Sequence, residues 1–195
     1  MIDLERIRAE KDDLFASDPH SPLTAEQKQG FKGLNYYPEN PSLRLEVEVE
    51  PFAEQELIQM QTMTGGVQTF SRYGRFKFMV DGQEAELTIF GDEHGFFLPF
   101  VDALAGKETY GAGRYLEPER TSTGRFRVDF NLAYNPYCAY NEPRSLAARA
   151  GREPMTWTCP LTPFENRLKV PIRAGEKTPE GDWAEHELPH VTDEA

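Results

Sequence analysis

The residues best suited to chemistry lie together in one stretch of the sequence, from Val128 to Asn141. This stretch contains one Asp, three Asn, three Tyr and one Cys. Amide side chains both donate and accept hydrogen bonds, which suits sugars, amino acids or amide-bearing ligands. The stretch therefore predicts a polar pocket for a small molecule. Its candidate ligand-binding residues are Asp129, Asn131, Tyr134, Asn135, Cys138, Tyr140 and Asn141.

The same residues also have a structural interpretation, which stays open at this point. Asn135 precedes Pro136, and an Asn-Pro pair favours an extended or turn conformation. The short side chains of Asn and Asp commonly satisfy the backbone groups of such turns. In that case the motif would stabilise a loop and would contact no ligand.

Three further candidate ligand-binding residues lie outside this stretch: Arg114, Tyr115 and Asn166. The planar guanidinium of Arg114 could hold a ligand carboxylate or phosphate through two parallel hydrogen bonds. It could equally form a buried ion pair with Asp129 or Glu117, since the chain offers many acidic partners. Tyr115 would line the same wall of a pocket, although tyrosine is also common in strands.

A catalytic role is an alternative for Asp129 and Cys138, and either residue would make the protein a hydrolase-like enzyme. A catalytic thiol needs a neighbouring base, usually histidine, and the four histidines lie in loops or near the C-terminus. The catalytic residues therefore stay unknown. The sequence predicts no cofactor and no metal site, because zinc needs about four ligands and no Cys-x-x-Cys pair is present.

Composition limits the partners and the compartment. The formal net charge of −12 and the absence of a Lys/Arg-rich run predict that nucleic acid is repelled. The sequence shows no signal-peptide core and no stretch of the roughly 20 apolar residues that cross a membrane. We therefore expect a cytoplasmic protein with no nucleic-acid or membrane partner and with an oligomeric state that stays unknown. Cys138 and Cys159 are then expected to be reduced; a disulfide between them is geometrically possible, but no sequence feature predicts it.

The elements that would position these residues are mostly strands. Apolar and polar residues alternate from Leu43 to Glu50, which predicts a half-buried strand. Gly65-Gly66 and Asp81-Gly82 predict hairpin turns, and Tyr73-Gly74 predicts a weaker break. The fold is predicted to be mainly antiparallel β, a barrel or sandwich of about nine or ten strands.

Two helices are predicted before the first strand. The first covers residues 3–16, with Asp3 as its N-terminal cap. Thr24 and Gln27 have the spacing of a capping box and predict a short second helix. Residues 1–33 would therefore form a helical cap over one end of the β structure.

Further along the chain, residues 114–117 and 124–132 are predicted to form a hairpin. A short helix is predicted over residues 145–150, closed by a glycine. The last strand is predicted over residues 166–172.

Three blocks of the sequence resemble a known family. They run from Pro99 to Leu116, from Asp129 to Asn141, and from Cys159 to Lys177. The shorter elements Ser21-Pro22-Leu23 and Phe31-Lys32-Gly33-Leu34 fit as well. Together these blocks are similar to the prokaryotic family called domain of unknown function 1684, over all of the chain except its acidic tail. The resemblance implies no catalytic residue, since the family is named for its missing function.

We predict one β-rich domain over residues 1–175, followed by an acidic tail over 176–195. The motifs at 109–115, 129–141 and 159–167 are predicted to converge on one cavity. The first functional hypothesis is a binding module for a small polar or anionic ligand in that cavity. The alternatives are the hydrolase-like enzyme and a structural or interaction protein whose motifs build the core.

Overall fold

The computed structural model of the chain describes residues 3–141 and 157–180. Within these residues the fold has nine strands, two α-helices and a few short 3₁₀ turns. The strands are β1 (Arg44–Val47), β2 (Glu50–Pro51), β3 (Leu57–Gln61), β4 (Val67–Val80), β5 (Gln83–Asp92), β6 (Gly95–Phe100), β7 (Arg114–Leu116), β8 (Glu119–Arg120) and β9 (Phe126–Asp129).

The two helices are α1 (Leu4–Ser17) and α2 (Ala25–Gly30), and both begin where the sequence predicts. The carboxylate of Asp3 accepts a hydrogen bond from a backbone N–H of the first turn of α1. Thr24 and Gln27 form both hydrogen bonds of the predicted capping box at α2. These caps satisfy backbone donors that have no partner inside the helix. Neither described helix is long and apolar enough to cross a membrane.

The strands form two antiparallel sheets. One sheet has the order β1-β9-β8, and the other has the order β2-β4-β5-β6-β7, with β3 also paired to β4. Every pairing between two of the described strands is antiparallel. The sheets face each other like those of a sandwich and do not close into a barrel. The predicted mainly antiparallel β fold is therefore confirmed in its sandwich form.

One apolar core lies between the two sheets. Val47, Phe126 and Val128 enter it from the smaller sheet, and Phe76 and Leu98 are among those that enter it from the larger sheet. These positions alternate with exposed residues along β4 and β9, as expected for strands with one wet face. Burial of this apolar surface is the main stabilising contribution to the sandwich.

The strand β4 is continuous where the sequence predicts a weak break at Tyr73-Gly74. The pairing of β4 with β5 shifts by one residue between Arg72 and Gly74, so the break is a β-bulge. A side chain at Gly74 would place its Cβ only 2.5 Å from the backbone oxygen of Glu50. The glycine therefore lets β2 approach β4 closely at this point.

Two predicted strand assignments are wrong. Strand β7 pairs with β6, and β9 pairs with β1 and β8, so residues 114–117 and 124–132 form no hairpin. All three residues of β7 are buried, which is typical of a strand covered on both faces and not of an exposed hairpin.

The predicted last strand, residues 166–172, is also absent. Residues 157–180, which we call the strap, contain isolated bridges and one 3₁₀ turn but no strand. Pro160, Pro163 and Pro171 lack the N–H that a ladder needs. The strap nevertheless adds Val170, Ile172 and Ala174 to the core between the sheets.

The predicted domain boundary after residue 175 falls inside the strap. Glu176 is buried and continues the packed segment, whereas the tail was predicted to begin there. The remaining tail and the helix predicted over residues 145–150 lie outside the described residues.

Candidate functional site

The side chain of Arg114 is buried and donates hydrogen bonds to backbone carbonyl groups of the strap. Its side chain is 1% exposed. It donates hydrogen bonds to the carbonyl oxygens of Ile172 at 2.8 Å, Ala174 at 2.5 Å and Glu176 at 2.8 Å. The carboxylate of Asp102 lies 3.6 Å away and balances the charge. Burial lowers the pKa of Arg114, while Asp102 opposes that shift. The predicted ligand contact is thus occupied by the protein's own backbone.

Glu176 is the acidic centre of a second buried group. Its carboxylate accepts hydrogen bonds from Lys11 Nζ at 2.5 Å, the backbone N–H of Asn135 at 2.7 Å and the hydroxyl of Tyr140 at 2.7 Å. The Asn135 amide also donates to the carbonyl of Lys177. Burial and the Glu176 charge raise the pKa of Tyr140 well above its ordinary value. Two predicted site residues, Asn135 and Tyr140, therefore meet here.

The sequence offered little signal for Glu176 itself. It stands at the start of the segment predicted as a solvated acidic tail. Its burial depends on partners far away in the sequence, including Lys11 on α1. The resemblance did include Ala174 to Lys177, and that block was the one available hint.

The side-chain amides of two asparagines pair with a backbone N–H and C=O, as a neighbouring strand would in a β-ladder. Asn131 accepts from the N–H of Asn40 at 2.7 Å and donates to its carbonyl at 3.0 Å. Asn166 does the same with Thr88, at 2.8 Å for each bond, and also donates to the carbonyl of Pro99. A carboxamide has the donor and acceptor of a peptide group, so it can replace one. The amide groups of Asn131 and Asn166 are therefore engaged by the protein itself.

Asp129 is likewise engaged by protein donors. Its carboxylate accepts hydrogen bonds from the backbone and amide of Asn131 and from Arg44 Nε at 2.8 Å. The predicted alternative, a pair between Arg114 and Asp129, is not observed, because Asp102 takes that place. Asn141, for its part, donates to the carbonyl of Pro22 and to Gln27 and so fastens α2.

Cys138 and Cys159 form a disulfide, so the prediction that both are reduced is wrong for this structure. The fold places their Cα atoms 6.6 Å apart, within the range that a disulfide spans. Sequence spacing alone could not show this proximity, because the two residues are brought together by the strap. Cys138 therefore presents no thiol that could act as a nucleophile.

An open groove lies beside the buried groups, between the end of the larger sheet and the β8–β9 edge. Its volume is about 960 Å³, at the upper end of the range for ligand pockets. We call it the inter-sheet groove. Three of the ten candidate residues line it: Tyr115, Asp129 and Tyr134. The three predicted motifs therefore do not bring all their candidate residues to this groove. The other seven candidates lie in the buried contacts described above.

Aromatic rings form one wall of the inter-sheet groove. The ring centroids of Phe70 and Phe97 are 5.2 Å apart, those of Phe97 and Tyr115 are 4.9 Å apart, and those of Tyr115 and Tyr134 are 5.9 Å apart. The Tyr115 hydroxyl donates to the carbonyl of Pro160 in the strap. Phe70 and Tyr115 are buried, so the half-buried rings of Phe97 and Tyr134 are the ones that a ligand would contact.

Charged side chains form the rim of the groove. The Tyr134 hydroxyl donates to Glu117 at 2.6 Å, and Arg127 lies 3.0 Å from Glu119. Burial and the Glu117 charge raise the pKa of Tyr134, so its hydroxyl stays protonated at neutral pH. Arg120 has no ion pair or hydrogen bond with any side chain that the structure describes. Its guanidinium is thus available to a ligand.

The described residues contain no group of three or more His, Cys, Asp and Glu side chains that could hold a metal ion. His94 lies at the rim of the groove and is exposed, and His20 pairs with Asp18 at the surface. Neither histidine contacts Asp129 or the disulfide. The described part of the groove therefore offers binding groups without an evident nucleophile and base.

Comparison with known proteins places the chain in a family. A family model described as "Protein of unknown function (DUF1684)" matches residues 29–177. The chain belongs to the DUF1684 family. The predicted resemblance is thereby confirmed, although the matched region begins after α1 and most of α2. It includes the nine strands that the structure describes in this DUF1684 protein, and most of the strap.

A solved structure of similar fold is the solution NMR structure of an uncharacterised protein of Haloarcula marismortui. The two proteins share 32% sequence identity, and the match covers 90% of the DUF1684 chain and 92% of the other chain, with a TM-score of 0.63. A search of curated proteins finds no match.

Proposed function

We propose that this DUF1684 protein is a binding module for a small polar ligand that also has an apolar face, held in the inter-sheet groove. The observation that carries the proposal is the combination of a continuous aromatic wall with a charged rim in a cleft of ligand size. Apolar walls supply most of the contact area in such sites, and a few polar groups fix the orientation.

The charges at the rim refine the ligand class. Arg120 is free to contact an anionic group, which supports the predicted polar or anionic ligand. Asp92, Glu117 and Glu119 also line the groove and would repel a strongly anionic molecule. A neutral ligand, or one with charges of both signs, fits this rim better than a dianion does.

The other two hypotheses receive different support from the structure. The buried bonds of Arg114, Asn131 and Asn166 favour a core-building role for those residues, and this is compatible with binding elsewhere. The hydrolase-like alternative has less support, because Asp129 is engaged by three donors and Cys138 is in a disulfide.

A ligand-observed NMR screen tests the proposal. The probes are monosaccharides, amino acids, nucleosides and hydroxy acids, chosen to vary charge while keeping an apolar face. We expect hits among neutral and zwitterionic probes, with weakened binding in Arg120→Ala and Tyr134→Phe. Lys107→Ala is the matched control, since Lys107 is exposed and lies outside the groove. Binding that is equal in all three variants would reject the groove as the site.

The compartment is a separate proposal. The cytoplasmic location stays a prediction from the sequence, whereas the Cys138–Cys159 disulfide favours an oxidising compartment. Rapid alkylation of cells before lysis, followed by mass spectrometry of the two cysteines, distinguishes the two. Alkylated thiols would support the cytoplasm, and an intact disulfide would support the alternative.

A further inference from the structure

A second group of polar side chains lies under α1, outside the set of residues that line the inter-sheet groove. The inward face of this helix carries Leu4, Arg8, Lys11 and Phe15, at spacings of three and four residues. Leu4 and Phe15 are buried, and Phe15 packs in an apolar cluster. Arg8 and Lys11 are half-buried, which places two cations where an ordinary amphipathic helix would have apolar residues.

The two cations differ in their partners. Lys11 forms the ion pair with Glu176 and lies 4.8 Å from the ring centroid of Tyr134. Arg8 lies over the ring of Tyr36, with 4.4 Å between its Cζ and the ring centroid. The Nε and Nη2 atoms of Arg8 are buried, and neither has a hydrogen-bond partner among the residues that the structure describes.

The hydroxyl of Tyr36 is in the same condition. It too is buried and lacks a hydrogen-bond partner within the described residues. Buried donors of this kind normally have partners, and each one left without a partner needs an explanation. Three such donors on two contacting side chains, Arg8 and Tyr36, are therefore an unusual concentration.

None of the described neighbouring carboxylates accepts a hydrogen bond from Arg8 or Tyr36. Each of them accepts from another donor. Glu176 accepts from Lys11, Asn135 and Tyr140. Glu39 accepts from Arg44, and Asp12 accepts from the backbone of Leu34. Burial lowers the pKa of Arg8, but an arginine remains charged at neutral pH. The guanidinium thus keeps its charge without a bonded counter-ion.

The geometry points to an oxyanion-binding site formed by Arg8 and Tyr36, for a carboxylate or phosphate group. Nε–H and Nη2–H project from one edge of the guanidinium and match the two oxygens of such a group. The Tyr36 hydroxyl, on the ring that Arg8 covers, supplies a third donor. Arg8 is half-buried on a surface helix, so a small shift that keeps its guanidinium over the Tyr36 ring would admit a small anion to this edge.

Titration with sodium acetate and with inorganic phosphate, each compared with sodium chloride at equal ionic strength, tests the site in the full chain. NMR chemical shifts and thermal unfolding report binding. We expect one or both anions to stabilise the protein more than chloride does. Arg8→Lys keeps the charge and removes the two-donor edge, so it should weaken binding about tenfold or more. Tyr36→Phe should weaken it to a smaller extent.

Arg6→Ala is the control, because Arg6 lies on the same helix but is exposed and pairs with Glu10. We expect it to bind the anions as the unchanged protein does. No preference for either oxyanion over chloride would overturn the proposal, and so would equal binding by Arg8→Lys and the unchanged protein. Neither outcome bears on the inter-sheet groove, whose screen uses Arg120 and Tyr134.

Discussion

The sandwich and the strap are held together in different ways. In the sandwich, neighbouring strands pair through backbone ladders, such as the long β4–β5 pairing. The strap forms no strand within the described residues, and its backbone bonds to other segments are scattered single ones. Side chains add to them: Arg114 and Asp102 bind residues 172–176, and Asn135 binds Lys177. A cluster of polar side chains in a sequence can therefore bind the backbone of a buried irregular segment just as it can bind a ligand.

This difference has an energetic consequence. In a ladder, the hydrogen bonds belong to many residues, and a side-chain substitution leaves them in place. In the strap, one side chain such as Arg114 satisfies three carbonyl groups, so one substitution removes all three bonds together. The strap should consequently be sensitive to single substitutions that the exposed face of the sandwich tolerates.

The largest effect is expected for Arg114→Met. The substitution leaves three carbonyl groups unbonded and the Asp102 charge unpaired in the interior, which should lower the free energy of unfolding by about 3–5 kcal/mol. Urea unfolding followed by circular dichroism measures it. Lys77→Met on β4 is the sandwich control, and loss of its exposed pair with Glu84 should change stability by less than about 1 kcal/mol. Equal losses at the two sites would remove the distinction.

The next effect is expected for removal of the disulfide. It joins residues 21 positions apart, and the double variant Cys138→Ala/Cys159→Ala should lose about 3 kcal/mol through greater freedom of the unfolded chain. Unfolding of the unchanged protein with and without a reductant is the companion measurement. If neither treatment lowers stability, the disulfide does not hold the strap.

A smaller loss is expected for Asn166→Ala, which unpairs both backbone groups of Thr88 and one bond to Pro99. We expect about 2 kcal/mol, since water entering the space left by the amide would offset part of the loss. Gln59→Ala, on the exposed face of β3, should be nearly neutral. A neutral result for Asn166→Ala would show that its amide is dispensable.

The smallest effect appears only at alkaline pH. Burial raises the pKa of Tyr110 from 10.0 to about 12, and burial together with Glu176 raises the pKa of Tyr140. A raised folded-state pKa stabilises the fold fully below the unfolded value of 10.0, and this contribution is lost as the pH rises through the folded value. Stability should thus fall above pH 10. Tyrosinate absorbance and circular dichroism should then change together, whereas tyrosinate formation well before unfolding would contradict the buried positions.

Sequence reasoning succeeded where the signal is local. The Asp3 cap, the Thr24–Gln27 capping box and the Asp81-Gly82 turn each depend on neighbouring residues, and positive φ at Asp81 and Gly82 confirms the turn. The antiparallel class followed from alternating polarity. These features need no knowledge of distant contacts.

Sequence reasoning failed where distant segments decide the outcome. The pairing of β7 with β6 and the approach of Cys138 to Cys159 depend on tertiary packing. The candidate site shows the same limit: an amide such as that of Asn166 has the same chemistry whether it faces a ligand or a backbone. Arg8 was missed because a cation on a surface helix carries no signal of burial.

The ion pair between Lys11 and Glu176 joins residues 165 positions apart. During synthesis at roughly 5–20 residues per second, Lys11 is made roughly ten to thirty seconds before its acidic partner exists. Through that interval Phe15 can pack on Leu23 and Phe31, but it lacks Tyr137 and Tyr140, whose rings contact it in the folded protein. The first helix of the nascent chain is therefore only partly covered until its later partners have been translated.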